Sequence, residues 1–404
     1  MSRAKHAPGV AAGILVIAVG LSVRFPITSV SPLLADIAQA YHLSAPGISV
    51  LSAIPVLLFG LASPLAPLLV SRLGLERAIT VLLAALALAT LLRPLSTPTL
   101  FIGTIIVGAT IALLGILAPQ IIRHALPRRG GFWTGIYTTS FGVSAAAGAA
   151  ISVPLFHLLD DQVGAALAAW GIPLLIALGL VIGFAPRLGL GLSAGPQRGG
   201  APAESILRAR GLWAVTGFFG CQALIYFSLT AWLPTSAVDR GLEPGHAGLL
   251  LAWLSVAGLP ASLLAPTLAA RPRLRTGLIG GIAALSALGL IGLAFGPVPL
   301  APLMVAVLGI AQSAAFGIAI ALIVFTAPSV AQTASFSAIS QGVGYAVAAT
   351  GPLLLGLFAQ AGIPWSVILV MLTVASLGEL CFGIAGSRAS QGPSRGAAPR
   401  PPSE

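Results

Sequence analysis

Twelve times along this chain, about twenty residues pass with almost no charge among them. The runs cover residues 10–34, 46–70, 77–95, 99–122, 132–158, 164–185, 211–235, 246–269, 276–295, 299–325, 332–358 and 365–386. Roughly 20 apolar residues in a helix cross the hydrocarbon core of a bilayer. Lipid offers no hydrogen bonds, so each run must satisfy its own backbone as a helix. Charged residues are 7% of the 404 and the mean hydropathy is +1.03; a soluble domain carries about 25% charged residues. A water-soluble fold is excluded. Glycine (48) and proline (31) are abundant, as packed membrane helices tolerate: small residues allow close approach, and neighbours re-satisfy freed backbone groups.

The order of the runs predicts a short N-terminus (1–9), a six-helix bundle (10–185), a Gly/Pro-rich linker (186–210), a second six-helix bundle (211–386) and a disordered tail (387–404). Arg3 and Lys5 before an apolar run resemble a signal peptide, but the run passes through Arg24 to Leu34 and is expected to be the first span. With the N-terminus inside, seventeen of the twenty basic residues fall on the cytoplasmic side and only Arg93 and Arg240 outside. That bias sets both termini in the cytoplasm. It also accounts for the net charge of +11 as topogenic, so nucleic acid is not an expected partner.

The halves repeat. Ala62-Ser63-Pro64-Leu65-Ala66-Pro67 returns as Ala261-Ser262-Leu263-Leu264-Ala265-Pro266, Pro32 as Pro234, and Gly142-Val143 as Gly342-Val343. The offsets of 199, 202 and 200 place the matches in equivalent spans of each half. The fold class is therefore an all-α membrane protein of twelve transmembrane helices, built as two parallel six-helix repeats, the repeat type of the major facilitator superfamily.

Within that superfamily, Arg24-Phe25-Pro26-Ile27-Thr28-Ser29-Val30-Ser31-Pro32-Leu33-Leu34 resembles the opening signature of the cyanate/2-nitroimidazole (CynX/NimT) transporter family. Supporting stretches are Ala53-Ile54-Pro55-Val56 with Gly60, Gly74-Leu75-Glu76-Arg77-Ala78, Leu92-Arg93, Pro119 to Arg123, and Gln222, Tyr226 and Ala231-Trp232-Leu233-Pro234. Ser22 and Gly115 stand where that family usually carries Asn. The resemblance implies alternating-access transport of a small solute across the bacterial plasma membrane.

Arg24 is the one basic residue that the sequence sets deep in a span, about 20 Å from the cytoplasmic end at 1.5 Å per residue. A charge at that depth costs roughly 2.5–3.5 kcal/mol on insertion scales, so it must face a protein interior or a water-filled cavity. Thr28 and Ser31 share its helical face. Uncharged polar groups are expected to complete a midplane site: Gln222 and Tyr226 with Thr230 on span seven, Gln312 on span ten, Gln341 and Tyr345 on span eleven, and Tyr137 with Ser140 and Ser144 on span five. Trp253 is a further cavity candidate. Pro26, Pro55, Gly60, Gly258 and Pro260 are candidate bending points.

The expected partners are a small polar or anionic solute, cyanate-like, and the lipid bilayer, with the protein a monomer. Export of a heteroaromatic such as a 2-nitroimidazole is the alternative, with Tyr226, Tyr345 and Phe316 as stacking walls. A solute sensor that does not transport is the alternative of another class. No catalytic pattern or metal-ligand spacing is present, so no enzyme, metal or cofactor is expected. Glu379, the one acid well inside a span, is the coupling candidate. Two turns from the cytoplasmic end of a usually peripheral span, it is poorly placed. Transport is accordingly expected to run down the solute's gradient, by exchange, or with the proton on the solute itself.

Overall fold

The computed structural model describes residues 7–184 and 206–391. The expected N-terminus (1–9), linker (186–210) and tail (387–404) lie largely outside the described residues. Among the described residues, ten helices are long and apolar enough to cross a membrane: Val10–Thr28, Leu75–Leu95, Thr97–Ala125, Val163–Phe184, Leu212–Asp239, Leu249–Ala269, Pro272–Phe295, Val298–Thr326, Thr333–Ala359 and Trp365–Ala389. Two bent pairs complete twelve: Ile54–Leu61 with Leu65–Leu73, bent by 64°, and Pro127–Gly148 with Ala150–Leu158, bent by 40°. Numbered in chain order, these are spans one to twelve, six in each half.

Local chemistry sets the boundaries. Ser96 and Thr99 form a reciprocal capping box that opens span four. Gly74 turns span two into span three at φ 77°, where any Cβ would be strained. Outside the two bent pairs, spans one and four are the most enclosed in the first half, with 72% and 67% of their apolar windows buried, and span ten in the second, with 78%; span twelve has 33%. Large apolar side chains such as Leu88, Ile102, Ile176, Leu303 and Val374 are exposed around the perimeter, as lipid-facing residues must be.

Of the expected bending points, Pro26 and Gly258 lie at breaks and Gly60 beside a bend, whereas Pro55 does not bend its helix. Span one breaks where Pro26 removes a backbone donor and its ring disfavours helix in the residue before it. Helix ends at Ser22 and resumes at Phe25, leaving Arg24 at φ −132°, ψ −45°. Span two bends after Leu61 and carries Pro55 inside an unbroken helix. Span eight breaks at Gly258, between helices Pro244–Ala257 and Leu259–Ala269. Span seven is continuous despite Pro234.

The sequence repeat becomes a pair of equivalent crossings between the halves. Ser262 of span eight meets span five: Thr138 donates to its carbonyl at 2.8 Å, and its hydroxyl lies 3.0 Å from that of Thr139. Ser63 of span two meets span eleven, where a Cβ on Gly342 would lie 2.7 Å from that of Ser63. Gly142, the counterpart of Gly342, meets Leu259 of span eight, whose methyl would lie 2.8 Å from an added Cβ. Small residues at matching places let both crossings close.

The hydrogen bonds that join the halves among the described residues all lie between Arg24 and the arginine-rich end of the bundle, hereafter the basic end. Arg123 donates to the Val324 carbonyl at 2.8 Å, and Gln341 to that of Gly115 at 3.4 Å. The Thr138 and Thr139 contacts with Ser262 complete the set. The halves are thus clasped at the basic end.

Candidate functional site

Three spans fix the segment that follows the break in span one. The Phe25 N–H, freed from the helix ladder, donates to Ser144 Oγ of span five at 2.9 Å. The Phe25 ring stacks on Trp170 of span six with centroids 5.0 Å apart. Arg93, at the end of span three, donates from Nη1 to the Pro26 carbonyl at 2.9 Å. Gly148 leaves room for this packing: a Cβ there would lie 2.8 Å from Phe25 Cα and would collide with Thr28.

So held, Arg24 projects between the halves. It is 9% exposed, and its guanidinium lies over the Phe141 ring, 5.0 Å from the centroid. It forms no ion pair and donates no side-chain hydrogen bond among the described residues, and its Nε is buried without a partner. Around it is a cavity lined by spans one, five, seven, eight, ten and eleven. Six aromatic rings form its walls: Phe141, Phe219, Tyr226, Phe227, Phe316 and Tyr345. Phe316 packs on Phe141 at 5.2 Å, and Tyr345 meets Phe219 edge-on at 5.0 Å. Polar groups are few: Gln222 and Gln312, the two tyrosines, and the hydroxyls of Thr138, Ser255, Ser262 and Ser313.

Six of the sequence candidates line this cavity: Arg24, Gln222, Tyr226, Gln312, Phe316 and Tyr345. Thr28, Tyr137 and Gln341 are among those that do not. The hydroxyl of Thr28 donates back to the Arg24 carbonyl at 3.2 Å. Tyr137 is 2% exposed, packed between Gly20 of span one and Gly115 of span four. Gln341 bridges the halves on the basic side, donating to Gly115 O and, at 2.7 Å, to Ser337 Oγ. Tyr137 and Gln341 both reach Gly115, where a Cβ would lie in ordinary contact, 3.7 Å from the Tyr137 hydroxyl and 4.0 Å from Gln341 Oε1. Ser31 begins a 3-10 turn, so the helical stripe from Arg24 ends at Thr28. Trp253 points outward, 45% exposed, and donates to the Pro302 carbonyl.

Two residues have places that the sequence does not disclose. Arg93 counts as an outer-face charge in the sequence, yet it is 1% exposed, with Nε and Nη2 unpartnered. Arg24 is therefore not the only cation buried in the bundle. Beside Arg93, in the loop between spans one and two, Tyr41 donates to the Pro94 carbonyl at 2.6 Å. Burial raises the pKa of its phenol, with the Arg93 charge opposing, so the hydroxyl keeps the proton it donates. Glu379 is the second. Span twelve runs on to Ala389, which puts Glu379 ten residues from that end, near mid-span, and it is wholly buried. It therefore lies nearly three turns inside the helix end, deeper than the two turns expected from the sequence.

Residues 14–352 match the sequence profile of the Major Facilitator Superfamily. The chain belongs to that superfamily. It is 33% identical over 384 residues to the 2-nitroimidazole transporter of Escherichia coli, covering 93% of this chain and 95% of that one. It is 25% identical over 341 residues to the cyanate transport protein CynX of the same organism, covering 84% and 87%. The crystal structure of the superfamily transporter FucP in its outward conformation superposes with a TM-score of 0.71 at 16% identity, covering 92% of this chain and 99% of that one. The fold class is thereby that expected from the repeat. The protein is a multi-pass membrane transporter of a small solute, not an enzyme.

Proposed function

We propose that the solute is small, flat and negatively charged or strongly polarised at one edge, and that it binds between Arg24 and the aromatic walls. The observation that carries this is an unpaired guanidinium inside a ring-lined cavity. A planar fork of donors suits carboxylate-like or nitro-like oxygens. Gln222, Gln312, Tyr226 and Tyr345 supply the remaining polar contacts. The six rings favour a heteroaromatic over a linear three-atom anion such as cyanate, because offset stacking needs a ring on the solute. The relative at 33% identity is named for a 2-nitroimidazole, which is in keeping with this preference.

Transport proceeds by rocking of the halves about this midplane site. The basic end is the cytoplasmic one, in the plasma membrane, and the protein works as a monomer. With the clasp at the basic end, the structure corresponds to the state open to the outside. Competition in proteoliposomes tests the solute class: 2-nitroimidazole is expected to displace a labelled heteroaromatic at lower concentration than cyanate does. Equal or better competition by cyanate refutes the aromatic preference.

A further inference from the structure

We infer that Glu379 is a proton-binding site coupled to the cavity through Gln312. This rests on the cavity being the solute site, and the geometry makes the link. Gln312 lines the cavity on span ten, and its Nε2 lies 3.3 Å from Glu379 Oε1 on span twelve and 2.9 Å from Ser286 Oγ on span nine. Gln222, also on the cavity, donates to the Gln312 carbonyl at 3.4 Å. A continuous polar chain thus runs from the solute site into the otherwise apolar space between spans nine, ten and twelve.

That chain is incompletely satisfied. Glu379 Oε2, Gln312 Oε1 and Ser376 Oγ are all buried without partners. Unmade hydrogen bonds are costly in an apolar bundle, so their persistence calls for a role. Among the described residues no charged neighbour fixes the state of Glu379. Span ten carries no charged residue; span nine carries Arg273 and Arg275 only at its basic end; span eleven offers only Tyr345, on the cavity. Span seven presents Cys221, with Tyr226 on the cavity and Asp239 at the far end, and span twelve itself adds Cys381 and Arg388.

The chemistry has two stable arrangements. An ionised carboxylate only accepts hydrogen bonds, and the Gln312 N–H is turned toward it. A protonated carboxyl must also donate, and Gln312 Oε1 is the free acceptor. Rotating the Gln312 amide about its last torsion converts one arrangement to the other. Ser286 accommodates both, since a hydroxyl donates or accepts. Binding one proton at Glu379 therefore turns the amide of a cavity residue, and solute contact with Gln312 biases proton binding in return. One proton enters with the solute and leaves with it, and Glu379 ends each cycle as it began.

Two measurements on purified protein test this. In pH-jump infrared difference spectra without solute, wild type is expected to show a buried carboxylic-acid band that Glu379→Gln lacks. In proteoliposomes, Glu379→Gln is expected to lose at least tenfold of the 2-nitroimidazole accumulation driven by a pH gradient, while gradient-free counterflow stays within about twofold of wild type. Glu379→Asp retains the acid and is expected to keep the band if the glutamine variant fails to fold. A band unchanged in Glu379→Gln, or pH-driven accumulation unchanged in it, overturns the proposal; the second result puts the proton on the solute. Counterflow absent from wild type itself would instead overturn the solute class and leave the infrared result to decide Glu379.

Discussion

Removing the Arg24 side chain separates binding from folding more cleanly than any other change in this cavity. The guanidinium donates no hydrogen bond within the described residues, so Arg24→Ala orphans no partner. What the folded state loses is the contact over Phe141, worth roughly 0.5–2 kcal/mol. What it gains is relief from a buried charge without a counter-ion, a penalty of several kcal/mol in real proteins. The thermal midpoint is therefore expected to stay level or rise. The solute, in contrast, loses at least one charge-assisted hydrogen bond, about 1.5–3 kcal/mol. At 1.4 kcal/mol per tenfold, Kd rises by roughly 10- to 150-fold. Arg24→Lys keeps the charge but not the fork and is expected to recover only part of this. Calorimetric titration with 2-nitroimidazole in detergent gives Kd, and scanning fluorimetry gives the midpoint. A well-folded Arg24→Ala protein that binds within twofold of wild type refutes the cation as the solute contact.

Ser144→Ala strands the buried Phe25 N–H, at a cost of about 1–3 kcal/mol. It is expected to weaken binding severalfold in wild type but not in an Arg24→Ala background, which a double-mutant cycle on Kd would reveal. Arg93→Met removes the bond to the Pro26 carbonyl along with a fully buried charge. Counterflow is expected to fall several-fold while the protein remains monodisperse in size-exclusion chromatography; unchanged counterflow would mean that the break in span one holds without it. Reporter fusions after Asp160 and after Glu243 are expected to register outside and a fusion at Arg198 inside, and the reverse pattern would invert the assignment of the basic end.

The parts legible in the sequence are those that break a local rule. Twelve charge-poor runs admit few folds other than a helical bundle in lipid. Arg24 stands out because nothing nearby neutralises it. Ser63 and Ser262 repeat because both sit at crossings between the halves. On span seven, Phe219, Gln222, Ala223, Tyr226 and Phe227 fall at spacings of three and four, and that face does line the cavity. Phe141 carries no such signature, since one aromatic in an apolar helix looks the same facing lipid, core or cavity. Arg93 was hidden by its position at a span boundary, where a charge ordinarily meets water. In the fold it packs against Gly103 of span four and finds the Pro26 carbonyl beside the break in span one. Gln341 and Tyr137 have the composition of cavity residues, but the direction each faces, toward span four, depends on tertiary packing. Glu379 depended on which helix faces it, and no periodicity in span twelve names Gln312.

The lone cation also bears on the carrier when it holds nothing. To return empty, the halves must close over Arg24 with no anion beside it and complete the burial of a guanidinium that is still 9% exposed. Enclosing an unpaired charge costs several kcal/mol, and each 1.36 kcal/mol on a barrier slows the step about tenfold. A loaded carrier avoids that cost, because the negative edge of the solute travels inside with the guanidinium. The charge that recruits the solute thus also discourages idle turnover.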